Sequence, residues 1–293
     1  MRSIRKLFFQ NSKGQQWGLN GDRGLYASNL SGFGQTLSPN FADLGRGFFS
    51  VVDDRSEPQT PLAFTLTFTR SPYETYSQLM DWLASAGTIT IVYAPTGART
   101  YCRDVTISFV QKGELNPVGW LECPCSFQSI TPWYLPVPSK MELIDASHLP
   151  IKRYTYQYTP DLMYGSDGVD AVAGSIPKTG HIPAAIELSY RGSVVNPSIR
   201  LVGRITKKVH GVCAIQENFA PNDILKFSTR YRGAYVKKVY PDGTEKDLLN
   251  HVDLRLNPFF RIPVDEPCDI SIESETGATG YADLLIYYYF RSV

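Results

Sequence analysis

Residues 62–70, LAFTLTFTR, alternate with a period of two: Leu62, Phe64, Leu66 and Phe68 fall on one side, Ala63, Thr65, Thr67 and Thr69 on the other. A pleated strand with one face in a core is the backbone that places every second side chain on the same side. This stretch therefore commits its surroundings to a sheet. The same alternation marks TITIVY (88–93), YCRDVTISFV (101–110) and LECPCSFQ (121–128). One segment breaks the period. SPYETYSQLMDWLASAG (71–87) predicts a helix, with Ser71 as N-cap, Pro72 at the first helical position, Glu74 completing an S-x-x-E capping box and Gly87 at the stop. Its apolar stripe is Tyr73, Tyr76, Leu79, Met80 and Leu83. The leading half thus reads as an α+β unit, one helix against an antiparallel sheet.

Cys123 and Cys125 sit one residue apart, on the same side as Leu121 and Phe127. On such a strand both thiols enter an apolar layer, where cysteine behaves as a small hydrophobe. No zinc site is expected, because Cys102, Cys213, Cys268 and the four histidines are scattered rather than spaced as ligand pairs. Pro124 has no N–H for a ladder, so its strand is expected at an edge or a bulge, or with that position unpaired. Residues 31–60 are too apolar for a solvated loop yet lack a clean period. They read as a hairpin arm that packs on another subunit, with Phe33, Phe41, Leu44, Phe48 and Phe49 as candidate interface residues.

A chain of 293 residues exceeds the usual single core. The boundary falls at TPWYLPVPSK (131–140), where three prolines make a stiff, extended connector. Domains of residues 1–135 and 136–293 follow. Beyond the boundary come short alternating runs: RYTYQY (153–158), AAIELSY (184–190), SIRLVGRI (198–205), DILKFST (223–229), AYVKKVY (234–240), CDISIES (268–274) and ADLLIYYYF (282–290). PDG at 241–243 is a hairpin turn, and the glycine-rich stretch 160–180 reads as a long surface loop. Regular short strands of this kind predict a β-sandwich, so the fold class is mainly β.

Charge excludes more than it suggests. Eleven basic residues face ten acidic ones up to residue 135, and eighteen face eighteen after it. Neither half has the basic excess of a nucleic-acid binder. The N-terminal apolar run is too short for a secretory signal, no stretch reaches the length of a membrane span, and five cysteines without an export signal predict folding in a reducing cytosol without disulfides. His148, His181, His210 and His251 stand outside any catalytic or metal motif. GLNGDRG (18–24) lacks the G-K-[ST] ending of a phosphate loop and reads as a turn. No cofactor, metal or catalytic residue is expected, and the chain reads as a non-enzyme. A carbohydrate-binding β-sandwich is the alternative, on the strength of Tyr154, Tyr156, Tyr158, Tyr164, Tyr231, Tyr235 and Tyr287 to Tyr289; no tryptophan follows Trp133 to serve as a sugar platform.

The order of YETYSQLMDWL, IVYAPTGARTYCRDVTISFVQKGEL and GWLECPCSFQSITPWY, followed by HIPAAIELSYRGSVVNPSIRL, NDILKFSTRY and the terminal YYYFRSV, resembles the distal tail protein of long-tailed, non-contractile phages, prophages and tail-derived particles. The resemblance implies an N-terminal ring-forming (belt) domain and a C-terminal galectin-like sandwich. It implies a homo-hexameric ring, possibly stacked, that joins the tail tube to the baseplate. Its implied partners are the tail tube protein, a tail-associated hub or fibre protein and a receptor-binding protein, with no specific nucleic acid and no membrane insertion. The implied place is the virion tail tip, after synthesis in the bacterial host cytoplasm. NPSIR (196–200) is the nearest echo of a galectin sugar site, without its histidine or tryptophan, so a scaffold without sugar is expected.

Overall fold

The computed structural model describes residues 5–34, 38–45, 48–56, 61–97, 99–144, 171–274 and 278–293, with the backbone alone given for the strands within 38–56. The chain divides into two compact units, Met1–Leu135 with Phe290–Val293, and Pro136–Tyr289.

The first unit contains β1 (Lys6–Asn11), β2 (Gln16–Gly18), β3 (Leu25–Ser31), β4 (Ser38–Gly45), β5 (Phe48–Ser56), β6 (Leu62–Phe68), α1 (Pro72–Ser85), β7 (Ile89–Ala94), β8 (Tyr101–Val110), β9 (Leu121–Ser129) and the start of β10 (Trp133–Ile144). Seven strands pair antiparallel in the order β2-β1-β7-β8-β9-β6-β3. The two ends of this ladder then meet. Leu19 N donates to Leu7 O at 2.9 Å, Ala27 N donates to Leu19 O at 3.0 Å, and Asn20 bridges to Tyr26. The Asn20 side chain completes the seam, its Nδ2 donating to Arg5 O at 2.9 Å and its Oδ1 accepting from Leu7 N at 2.5 Å. The sheet closes on itself, so its strand edges are occupied rather than left to pair with other chains.

Its interior is the set that the alternation puts there. Leu62, Phe64, Leu66 and Phe68 are buried, as are Leu121, Cys123, Cys125 and Phe127. The rings of Phe9, Phe64 and Phe127 gather with centroids 5.3 to 6.1 Å apart. β9 is an interior strand, paired with β6 on one side and β8 on the other. Pro124 is accommodated by a bulge: β8 shifts register between Ile107 and Phe109, after which Gln111 N donates to Pro124 O at 2.8 Å. The bulge expectation holds and the edge does not.

The helix begins at Pro72, but the capping box does not form. Ser71 is left-handed (φ 38°) and makes no side-chain cap, whereas an N-cap side chain reaches the first turn from extended backbone. Thr75 Oγ1 instead donates to Arg70 O at 2.9 Å, and Glu74 Oε1 accepts from Gln78. The buried positions are Thr75, Leu79 and Leu83. Tyr73 is exposed, while Tyr76 meets Phe68 and Trp82 meets Trp17.

The second unit contains the rest of β10, then β11 (Ala171–Ile176), β12 (Ile182–Arg191), β13 (Val194–Val195), β14 (Ser198–Gly203), β15 (Val209–Ala214), β16 (Asn218–Phe219), β17 (Ile224–Ser228), β18 (Tyr235–Val239), β19 (Glu245–Asp247), β20 (Cys268–Glu273) and β21 (Tyr281–Phe290). One antiparallel sheet runs β10-β21-β12-β17-β18-β19 and the other β10-β11-β20-β14-β15. Each buries alternate residues, Leu188, Tyr190, Leu225, Phe227 and Val236 from the first, Ile199, Leu201, Ile270 and Ile272 from the second. The PDG turn is in place, with Asp242 Oδ1 accepting from Thr244 N and Oγ1 at 2.9 and 2.7 Å. RYTYQY lies outside the described residues, as do 160–170. Residues 171–176, read as part of a loop, form β11 between β10 and β20. The proline connector is likewise a strand, β10.

Candidate assembly surfaces

Several polar groups tie turns and strands together. His210 Nε2 lies 3.0 Å from Glu266 Oε1, and Glu266 also accepts from Thr206 Oγ1 (2.6 Å), Thr206 N (3.0 Å) and Ile205 N (3.1 Å). This cradle, with Thr206 contributing most, lowers the Glu266 carboxyl to about 2; the carboxylate ties the β14–β15 turn to the segment before β20. His251 Nδ1 contacts Gln216 O at 3.0 Å, and His181 N donates to Tyr289 O. His148 lies outside the described residues. Burial pushes the Cys125 and Cys213 thiols up to about 12, which removes the thiolate needed for nucleophilic or metal chemistry. Among the described residues no three His, Cys, Asp or Glu side chains gather as a metal-holding group.

Two features of the first unit are candidate contact surfaces. The first is an arm. β4 and β5 form a two-stranded sheet of their own, with Phe41 opposite Val51 and Asp43 opposite Phe49. The register slips between Asp43 and Gly45, a bulge at Leu44. Phe41, Leu44, Phe48 and Phe49 therefore lie on the arm; their side chains are outside the described residues. Phe33 differs from the other four, because it packs inside its own unit at the arm's root, 5.0 Å from the Tyr93 ring and 5.2 Å from Trp133.

That root is clamped. Ser31 Oγ donates to Ala63 O at 3.1 Å, where β3 and β6 end together, and Gly32 (φ 81°) passes so close to Pro61 O that a Cβ would collide with it. Arg103, only 8% exposed, donates from Nε to Thr131 O (3.1 Å) and from Nη1 to Gly32 O (3.4 Å), with its guanidinium 5.4 Å from the Trp133 ring centre. Burial lowers its pKa to about 10, so it stays charged at neutral pH. A buried cation that grips backbone carbonyls fixes the direction in which the chain leaves the barrel. Nothing in the periodicity of YCRDVTISFV marks Arg103; the signal was an arginine on the strand face that carries Val105.

The second feature is an apolar tip at residues 109–120, joining β8 to β9. Asn116 organises it, its Oδ1 accepting from Val118 N (3.1 Å) and Trp120 N (3.0 Å) and its own N donating to Trp120 O (2.8 Å). With the backbone fixed this way, Val118 is 69% exposed, and Phe109, Leu115 and Trp120 are exposed beside it. Tyr73 of α1 reaches the same loop, its hydroxyl donating to Glu114 at 3.4 Å and its ring beneath the Lys112 ammonium at 4.7 Å. Apolar side chains presented together from one turn are a candidate contact surface. The sequence reading missed it, although N-P-V-G followed by tryptophan carries a turn signal with apolar residues at exposed corners.

Residues 6–130 match the family model described as distal tail protein, N-terminal domain. No curated protein sequence matches the chain. Among solved structures, the fold is similar to a chain of the phage P2 baseplate in its activated conformation with calcium, at 15% identity and TM-score 0.67, covering 99% of this chain and 100% of that one. A strontium form of that baseplate gives the same values. The SPP1 Dit protein, described as a paradigm of the hub adsorption apparatus in phages infecting Gram-positive bacteria, is similar at 11% identity and TM-score 0.56, covering 97% of this chain and 98% of that one.

Proposed function

We propose that this chain, whose residues 6–130 form a distal tail protein N-terminal domain, is a structural subunit that closes with copies of itself into a hexameric ring joining the phage tail tube to the baseplate. The observation that carries the reading is the family match over the barrel unit, together with an arm whose described strands form a two-stranded sheet of their own. Rings require two different, mutually complementary faces on each subunit. The arm bearing Phe41, Leu44, Phe48 and Phe49 and the tip bearing Val118 and Trp120 supply such a pair, with Phe33 anchoring the arm rather than meeting the neighbour. A near-neutral charge suits a conduit through which DNA slides without being held. The second unit serves as the dock for hub, fibre or receptor-binding proteins, and the particle is assembled in the bacterial host cytoplasm.

Mass photometry and negative-stain imaging of the purified chain test this. Six copies around a central opening are expected, in equilibrium with smaller species on dilution. A strict monomer at every concentration would refute the reading.

A further inference from the structure

In the second unit, several charges are held in pairs. Lys238 sits 2.9 Å from Asp223, Lys246 2.6 Å from Glu217, Lys237 2.9 Å from Glu245, Arg204 2.6 Å from Asp269 and Arg255 2.8 Å from Asp253. The turn between β17 and β18 carries an arginine, Arg232, outside these pairs. Gly233 N donates to Arg230 O at 3.2 Å, which puts Tyr231 and Arg232 at the two corners of a tight turn. Tyr231 is 87% exposed, the most exposed aromatic side chain among the described residues. Its ring lies 5.6 Å from the guanidinium of Arg261, which reaches the turn from the segment after Phe260.

Arg261 is half-buried, and its Nη1 is shut off from solvent without a hydrogen-bond partner. Glu187, by contrast, is committed elsewhere: it accepts from Tyr287 OH at 2.9 Å and from Arg230 Nη1 at 3.4 Å, while the Arg230 guanidinium covers the Tyr287 ring at 4.5 Å. Arg232 and Arg261 therefore have no acid of their own among the described residues. A half-buried guanidinium without an acid partner is stabilised by an anion that reaches the part of it still open to solvent. A planar guanidinium is suited to a carboxylate, which it binds through two parallel N–H donors, and an exposed ring beside it covers the aliphatic stem of the incoming residue.

We propose that Tyr231, Arg232 and Arg261 form the docking site for an acidic, Glu- or Asp-bearing segment of another tail protein, with Arg261 taking the carboxylate. The proposal rests on the docking role given to the second unit above. A phosphate backbone is the less suitable occupant, because the unit has no excess of basic over acidic residues with which to hold a polyanion.

The test titrates a fluorescein-labelled peptide of ten glutamates with the full chain at low ionic strength and follows anisotropy. Saturable binding is expected, weakened about tenfold by Arg261→Gln and about fivefold by Tyr231→Ala. Lys178→Gln, at an exposed lysine, should leave it unchanged. An equal loss in Lys178→Gln would mean diffuse attraction and overturn the proposal, as would absence of saturable binding or tighter binding of a thymidine decanucleotide. If Arg261→Gln melts early, Arg232→Gln and Tyr231→Ala, both at exposed positions, carry the comparison. Light scattering on the same samples separates the two readings. An intact hexamer whose peptide binding ignores all three residues refutes this docking site alone, and a monomer that binds the peptide refutes the ring alone.

Discussion

Replacing Arg103 with Met removes a charge while keeping much of the stem that lies against Trp133, and the structure sets the size of the effect. Two hydrogen bonds to carbonyls disappear, at 3.1 and 3.4 Å; a charged donor contributes about 1.5–3 kcal/mol at good geometry, and the longer bond less. Against this stands the burial cost that lowers the Arg103 pKa from 12.5 to about 10, on the order of 3 kcal/mol. The two terms largely cancel. Arg103→Met is therefore expected to cost about 1–2 kcal/mol of stability, a melting shift of roughly 3–8 °C for a unit of this size. The arm loses its anchor at Gly32 in full. Assembly should thus suffer far more than folding, with the hexamer population falling at concentrations where the parent assembles and protease cleavage within residues 35–60 accelerating. Calorimetry, mass photometry and limited proteolysis read the three quantities. A variant that still assembles with unchanged cleavage would show that Arg103 does not hold the arm. A melting loss above about 15 °C would show that its role is the stability of the barrel itself.

Val118→Asp, at the exposed tip, should leave the melting temperature within about 2 °C and abolish the hexamer in mass photometry; unaltered assembly would remove the tip from the interface. The Glu266 carboxyl is held at about 2 in the fold, below its ordinary value of 4.5, so its contribution is full above that ordinary value and fades as pH falls from about 5 toward 2. Melting curves across that range should show Glu266→Gln converging on the parent at the acid end, and a constant gap would contradict the cradle. Cys123 and Cys125 should resist iodoacetamide at pH 8 in the folded chain and react after denaturation, as read by mass spectrometry, because burial raises both thiols; rapid native labelling would contradict the packing.

The strands that face one core were legible because their alternation is strong: LAFTLTF and LECPCSFQ declare their buried sides residue by residue. β11, AVAGSI, was not, since small side chains and a glycine give no contrast between faces, and its place comes from pairing with β10 and β20, which are distant in sequence. Ser71 and Glu74 carry the letters of a capping box, but the left-handed turn after Arg70 overrides them. Closure of the barrel through Asn20 was equally hidden, because a single amide between two strand ends leaves no period. The apolar wealth of residues 31–60 gave one group of candidates, and one sequence could not show that Phe33 among them packs against Trp133.

Residues 290–293 belong to the first unit, where Phe290 meets Tyr101 edge-on and Val293 N donates to Phe33 O at 3.4 Å. During synthesis these residues leave the ribosome only after the described strands of the second unit that precede β21. The stretch that carries the arm's root therefore receives its final hydrogen bond last, so a nascent chain emerges with its arm not yet fully secured.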